Sequence, residues 1–267
     1  MGFSLLEIII ILLIGVGGGI MVGIMGGSGV MVVVPMLTLL LSFPVHIAIG
    51  TSLLINIVAA LVTSFIYYRH RNLYLKPALW IALGSIVGAQ AGSIFADMIP
   101  PIGMSNLFGL MLIPMGIVLW VRGVGRTTGG VNNNSNGNGL PVETTKGRLI
   151  AVALGLLVGI MCGLFGAGGG GMIFIILIFV LHYPIHLAVG TSSLIMAITA
   201  LSGTIGYAMQ GNIDIYAALI ASATTIPAAG LGALVANRVS EKTLGRIIGA
   251  VLTLLGIAMI AIQYLAA

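Results

Sequence analysis

Charge is the scarcest property of this sequence. Ten Lys and Arg and five Asp and Glu make up 6% of its 267 residues, where an average soluble domain carries roughly 25%. That leaves too little polar surface to cover a soluble fold. The net charge of +5 comes from scattered residues, so no basic patch is offered to a nucleic acid. Cysteine is nearly absent. Cys162 stands alone, which excludes an intrachain disulfide, a zinc cluster and an iron–sulfur site. Within its apolar run it reads as an inert thiol. No Asp or Glu occurs between Glu143 and Asp214, and neither His-Glu-x-x-His nor paired acids nor a Ser-His-Asp set is present. The chain is therefore expected to be no enzyme and to need no cofactor or metal.

What is abundant is apolar residues and glycine. Hydrophobic residues reach 59% and glycine counts 40, with a mean hydropathy of +1.23. This composition predicts a polytopic all-α membrane protein whose helices pack closely on glycine. Apolar stretches run over about 3–24, 29–43, 47–68, 76–97 and 102–121, then over 149–165, 169–182, 186–208, 213–236 and 243–264. A full span takes about 20 residues at 1.5 Å each. The second and seventh stretches are shorter, and read either as tilted spans or as half-helices that re-enter the membrane. The N-terminus has no basic region and no small-residue cleavage site, so the first stretch is expected to be a retained helix.

The two groups of five are a repeat. A shift of 140 residues lays Phe43-Pro-Val-His-Ile-Ala-Ile-Gly-Thr-Ser-Leu-Leu54 on Tyr183-Pro-Ile-His-Leu-Ala-Val-Gly-Thr-Ser-Ser-Leu194, with seven of twelve positions identical. The same shift pairs Gly15, Gly19, Gly23, Gly26 and Gly29 with Gly155, Gly159, Gly163, Gly166 and Gly169, and Tyr67 and Asn72 with Tyr207 and Asn212. The expected organisation is a first repeat over 1–122, a flexible Asn/Gly-rich cytoplasmic linker over 123–147, and a second repeat over 148–267.

Basic loops face the cytoplasm. Arg69, Arg71 and Lys76 form one such loop, Arg122, Arg126, Lys146 and Arg148 flank the linker, and Arg238, Lys242 and Arg246 form another. The loops holding Asp97 and Asp214 are placed outside. Equivalent loops then fall on opposite sides, which predicts inverted-topology repeats of about four to five helices each. Five spans per half, or three plus a re-entrant hairpin, satisfy the charges, and both termini are then outside.

Two motifs recur in both halves. The first is the glycine turn, Gly26-Gly27-Ser28-Gly29 and, opposite it, Gly166-Ala167-Gly168-Gly169-Gly170-Gly171. Gly166, Gly168 and Gly171 match the dinucleotide fingerprint only formally, since no βαβ unit or following acid accompanies them. The turn serves either tight helix packing or a helix break whose exposed N–H groups hold an anion. The second motif is Pro44-x-His46-x-x-x-Gly50-Thr51-Ser52, repeated with Pro184, His186, Gly190, Thr191, Ser192 and Ser193. Proline suits a helix start. The hydroxyls either bond to their own backbone or, brought by an inverted axis to one central site, donate to an oxyanion. His46 and His186 read as helix-start or interface residues, with a gating or proton-linked role as the alternative. Asn56 and Gln90 are polar in apolar surroundings, with Met196 and Gly230 at the equivalent positions; each lines the path or bonds to a neighbouring helix. Gly84, Gly88 and Gly92, and Ala228, Gly232 and Ala236, form small-residue stripes that suit internal packing or an oligomer contact.

The glycine turn followed by Ala-x-Gly-Thr-Ser, occurring twice, resembles the TauE/SafE family of sulfite and organosulfonate exporters. Gly26, Gly27, Gly29, Pro35 and Ala48-x-Gly50-Thr51-Ser52 carry the likeness in the first half, and Gly166, Gly168, Gly169, Ala188 and Gly190-Thr191-Ser192 in the second. Ile175 departs from it, standing where the first half has Pro35. The resemblance implies a multi-pass protein of the cytoplasmic membrane whose partners are the lipid bilayer and a small sulfur-containing anion. Gly26, Gly27, Ser28, Gly29, Thr51, Ser52, Gly168, Gly169, Gly170, Thr191, Ser192 and Ser193 are the candidate binding residues. An alternating-access exporter is the leading expectation. A channel, or an assembly or sensor subunit without transport, are the competing ones.

Overall fold

The computed structural model describes residues 3–26, 29–99, 145–166, 168–179 and 183–238, with single positions at 243, 250, 253, 254 and 257. Eight helices are defined among these: α1 (Leu5–Met25), α2 (Val30–Leu40), α3 (Val45–Arg69), α4 (Leu75–Asp97), α5 (Thr145–Phe165), α6 (Gly168–Phe179), α7 (Ile185–Met209) and α8 (Ile215–Ala236). The described residues contain no strand. Six of the helices, all but α2 and α6, are long and apolar enough to cross a membrane. The segments expected over 102–121 and 243–264, and the linker, lie largely or wholly outside the described residues.

Local chemistry sets the helix ends. Ser4 and Glu7 form a reciprocal capping box: the Ser4 N–H donates to Glu7 Oε2 at 2.7 Å and the Glu7 N–H donates to Ser4 Oγ at 3.3 Å. Gly26 closes α1 in the left-handed region (φ 59°), with its N–H on the Val22 carbonyl at 2.8 Å. Pro44 and Pro184 immediately precede α3 and α7, where a missing donor costs nothing. Asp214 caps α8 by accepting from the Ala217 N–H at 2.9 Å. Pro35 lies inside α2 without ending it, and α6, with Ile175 there, is as short: 12 residues against 11. The proline is therefore not what limits α2.

The repeat is legible in the helix bounds. Adding 140 turns α1 into α5 and α3 into α7 residue for residue. Packing exchanges between the halves in the same way. α1 lies along α8 and α4 along α5, the two most extensive helix contacts, while α3 and α7 cross at the centre and are the most enclosed spans. Glycine sets these approaches. A Cβ on Gly15, Gly19 or Gly23 would strike the backbone at Ala221, Thr225 and Ala229, and one on Gly84, Gly88 or Gly92 the backbone at Val152, Leu156 and Ile160. Both sequences ascend together, so α1 runs parallel to α8 and α4 parallel to α5. Gly50 faces Tyr207 and Asn212, and Gly190 faces Tyr67 and Asn72, so α3 and α7 run antiparallel. The small-residue stripes are thus used inside the chain, at the α4–α5 and α1–α8 contacts.

These directions sort the charges. Arg69, Arg71, Arg148 and Arg238 fall at the end where α3 and α8 finish and α4, α5 and α7 begin. Glu7, Asp97 and Asp214 fall at the opposite end. Leu13, Leu61, Leu83, Val87, Leu157, Leu219 and Leu231 are exposed on the outer surface, whereas Thr51, Ser52, Asn56, Ser85, Thr191, Thr199 and Thr225 are buried. Apolar outside and polar inside is the arrangement lipid requires.

Candidate functional site

α2 starts within the bundle rather than at its end. Gly29 lies against the Gly18 carbonyl and Val22, and Gly18 in turn faces Val33, so α2 begins beside the last third of α1, short of its end. It then returns toward the N-terminal end, where Phe43 stacks on Phe3 at 6.5 Å. Its 11 residues cover about 16 Å, half of a hydrocarbon core of ~30 Å. Of the two readings of the short stretches, α2 is the half-length helix.

Asn56 meets that helix start. It lies eleven residues into α3 and is 2% exposed. Its Oδ1 accepts from the Gly29 N–H at 3.1 Å, and its Nδ2 has no partner. Gly18, Val22, Gly29, Val33, Ser52, Ile55, Asn56, Ala59 and Thr225 close around this amide and leave no water-sized space. The Thr225 hydroxyl donates to the Gly15 carbonyl at 3.0 Å, joining α8 to this wall. Gln90 behaves differently: its Nε2 donates to the Ser202 carbonyl at 2.7 Å, so it ties α4 to α7.

Each glycine turn docks on the Ala-x-Gly-Thr-Ser helix of the other half. Gly26 and Gly166 both hold positive φ (59° and 65°). A Cβ on Gly26 would strike Val189, and one on Gly166 would meet Ile49, its repeat equivalent. Ser192 Oγ donates to the Gly26 carbonyl at 2.7 Å. Gly27 and Ser28 lie outside the described residues. Gly168, Gly169 and Gly170 form the first turn of α6.

The Thr-Ser pairs do not converge on one point. Thr51 sits where α3 begins and Thr191 where α7 begins, at opposite ends of an antiparallel pair. Gly190 faces Tyr67, sixteen residues along α3 from Thr51, or about 24 Å. Their hydroxyls are engaged with the backbone. Thr51 Oγ1 accepts from the Asp214 N–H at 2.9 Å and Thr191 Oγ1 from the Tyr74 N–H at 3.1 Å. Ser52 donates to the Ile49 carbonyl at 2.7 Å and Ser193 to the Val189 carbonyl at 2.7 Å. The physical reason is burial: all five hydroxyls are fully enclosed, and an enclosed polar group takes the nearest backbone partner.

The threonine contacts form two equivalent latches. Asp214 is Tyr74 plus 140. The Asn72 and Asn212 carbonyls lie in the gaps left by Gly190 and Gly50, and their N–H groups donate to Tyr67 and Tyr207 at 2.8 and 2.9 Å. The Tyr207 hydroxyl donates to the Gly163 carbonyl at 3.1 Å and that of Tyr67 to Gly23 at 3.4 Å. At the basic end, Tyr183 packs edge-on against Tyr74 at 6.0 Å. Burial, then the Tyr74 hydroxyl, push the Tyr183 phenol above its usual range. His186 Nε2 lies 3.0 Å from the Ala236 carbonyl, an interface contact, while His46 Nδ1 is buried without a partner. Sequence reading paired Tyr67 with Tyr207 and Asn72 with Asn212 but assigned them no role. Their identity across the repeat was the available signal.

Comparison with known proteins agrees with this architecture. Residues 11–259 match the sequence model of the family described as Sulfite exporter TauE/SafE. The chain is 25% identical to the probable membrane transporter protein YunE of Bacillus subtilis over 96% of its own length and 98% of the relative's. It is 31% identical to YdhB of the same organism, also a probable membrane transporter protein, over 73% and 77%. A probable membrane transporter protein of Xylella fastidiosa is 29% identical over 94% and 95%. No solved structure matches the chain.

Proposed function

Because the chain belongs to the TauE/SafE family, a family of multi-pass membrane transporters, we propose that it is a secondary carrier that exports a small sulfur-containing anion, such as sulfite or an organosulfonate, across the cytoplasmic membrane. The family name supports the substrate class. The observation that carries the anion reading is the start of α2 at Gly29 inside the bundle, beside the Asn56 amide. A helix N-terminus at that depth presents N–H groups and partial positive charge to an anion without any cationic side chain. The glycine turns and the Thr-Ser segments of both halves are the candidate lining: Gly26–Gly29, Thr51 and Ser52, Gly168–Gly170, and Thr191–Ser193.

The carrier works by alternating access between two inverted repeats, 1–122 and 148–267, joined by a cytoplasmic linker over 123–147. Two features support this. Repeat-equivalent α3 and α7 run antiparallel, as an axis in the membrane plane requires. Equivalent latches join the halves at the two ends, so opening toward one side breaks one latch and spares the other. The basic end faces the cytoplasm, and an inside-negative potential drives a monovalent anion outward by about 2.3 kcal/mol per 100 mV. Export then needs no coupling ion.

The test is uptake into proteoliposomes from a panel of sulfite, sulfoacetate, thiosulfate, sulfate and a carboxylate control. Saturable, counterflow-competent flux of one sulfur anion is the expected result. Flux without saturation would make the protein a channel, and no flux from folded protein would remove the transport reading.

A further inference from the structure

The two halves match closely in helix bounds and latches, yet differ at Asn56, one of several buried side chains with a polar atom left unpartnered. Asn56 is buried about halfway along α3, and its Oδ1 is held by the Gly29 N–H at 3.1 Å. That bond orients the amide, because only the oxygen can accept from an N–H. Nδ2 is therefore turned away from that N–H and has no partner, an arrangement that is costly away from water. At the equivalent position α7 carries Met196, fully buried, which has no N–H to donate. Ser52, beside the same amide, is spent on the Ile49 carbonyl, and Thr225 on the Gly15 and Ala221 carbonyls.

We infer that the carrier holds its anion at one site only, the α2 start in the first half, and that the Asn56 Nδ2 group is the side-chain donor that selects it. This rests on the anion-carrier reading above: of its twelve candidate residues it keeps Gly29 at the start of α2, and it adds Asn56. Asn56 acts twice: its oxygen fixes the Gly29 end of α2, and its nitrogen donates to an anion oxygen. Gly18, Val22, Val33 and Ile55 close around it without a water-sized space, so the anion is admitted only when α2 moves away from α3. The glycine turn of the second half completes the scaffold and binds no anion.

The experiment uses the full chain in proteoliposomes with sulfite, beside crystals of the wild-type protein soaked in selenite, whose selenium is located by anomalous scattering. Asn56→Asp replaces the free donor with a second acceptor, and Asn56→Met copies the second half. Each is expected to raise KM for sulfite about 10- to 100-fold, the value of a hydrogen bond to a charged group. The selenium peak is expected within hydrogen-bond distance of Asn56 Nδ2. An unchanged KM in Asn56→Met, or a peak at the second turn or at both turns, overturns the single-site assignment. The selenite arm uses unaltered protein and decides the question if neither variant folds. Absence of sulfite-competed flux in the wild type would instead defeat the carrier reading itself.

Discussion

The hydroxyl oxygen of Thr51 accepts a hydrogen bond from the backbone N–H of Asp214 at 2.9 Å, across 163 residues of sequence. Thr191 does the same for Tyr74 at 3.1 Å. Each contact binds the helix start of one half to the loop entering the fourth helix of the other. Thr51→Val keeps the shape and removes the acceptor. It should destabilise the protein by about 1–3 kcal/mol, the cost of an orphaned buried donor. Thr51→Ser, which keeps the oxygen, should lose less. Thermal unfolding in detergent micelles measures both; equal losses would assign the residue to packing alone.

Gly50 and Gly190 make those latches possible. A Cβ on either would overlap a backbone carbonyl, of Asn212 and Asn72 respectively. Backbone cannot swing aside as a flexible side chain can, so Gly50→Ala and Gly190→Ala should each cost about 2 kcal/mol or more. Gly230→Ala is the control, since its nearest neighbours are side-chain atoms at 3.6 and 3.9 Å. Helix propensity favours Ala over Gly, so Gly230→Ala should hold or raise the melting temperature; a temperature lowered equally by all three would show that the close approach at Gly50 and Gly190 is not the cause.

Much of this architecture was legible beforehand. Apolar run lengths located the helices, Pro44 and Pro184 marked two starts, and the gap-free shift of 140 anticipated helix bounds that repeat residue for residue in α1 and α5. Half of the site was not legible. Thr51 and Ser52 are adjacent in sequence, and each could either bond to its own backbone or donate to a ligand. Which partner a buried hydroxyl takes depends on what packs within 3 Å of it, and here the Asp214 N–H arrives from the other half. The role of Asn56 likewise depends on the depth at which α2 begins, which hydropathy does not encode.

The segregation of charge predicts sidedness. His70 and Met98 are exposed residues near opposite ends. In a Cys162→Ala background, Met98→Cys should react with a membrane-impermeant maleimide added to intact cells, and His70→Cys only after the cells are opened. The reverse pattern would turn the protein over in the membrane and place the basic end outside.

The latches also predict which side each threonine guards. Cys162 lies near the end of α5, and its repeat equivalent Val22 near the end of α1; both are almost fully buried. Gly166 docks on Ile49, close to Thr51, and Gly26 on Val189, close to Thr191. Releasing the Thr51 latch by Thr51→Ala should expose Cys162 to reagent from the acidic, outer end. Releasing the Thr191 latch by Thr191→Ala should expose a Val22→Cys thiol from the basic, inner end, in a Cys162→Ala background. A bond worth about 1 kcal/mol shifts a two-state balance roughly five-fold, enough to read as a labelling rate. The double variant loses both closures, and should remain in the membrane while losing saturable transport. If either single variant raised labelling equally from both sides, the threonines would be general packing residues and the two ends would not open in alternation.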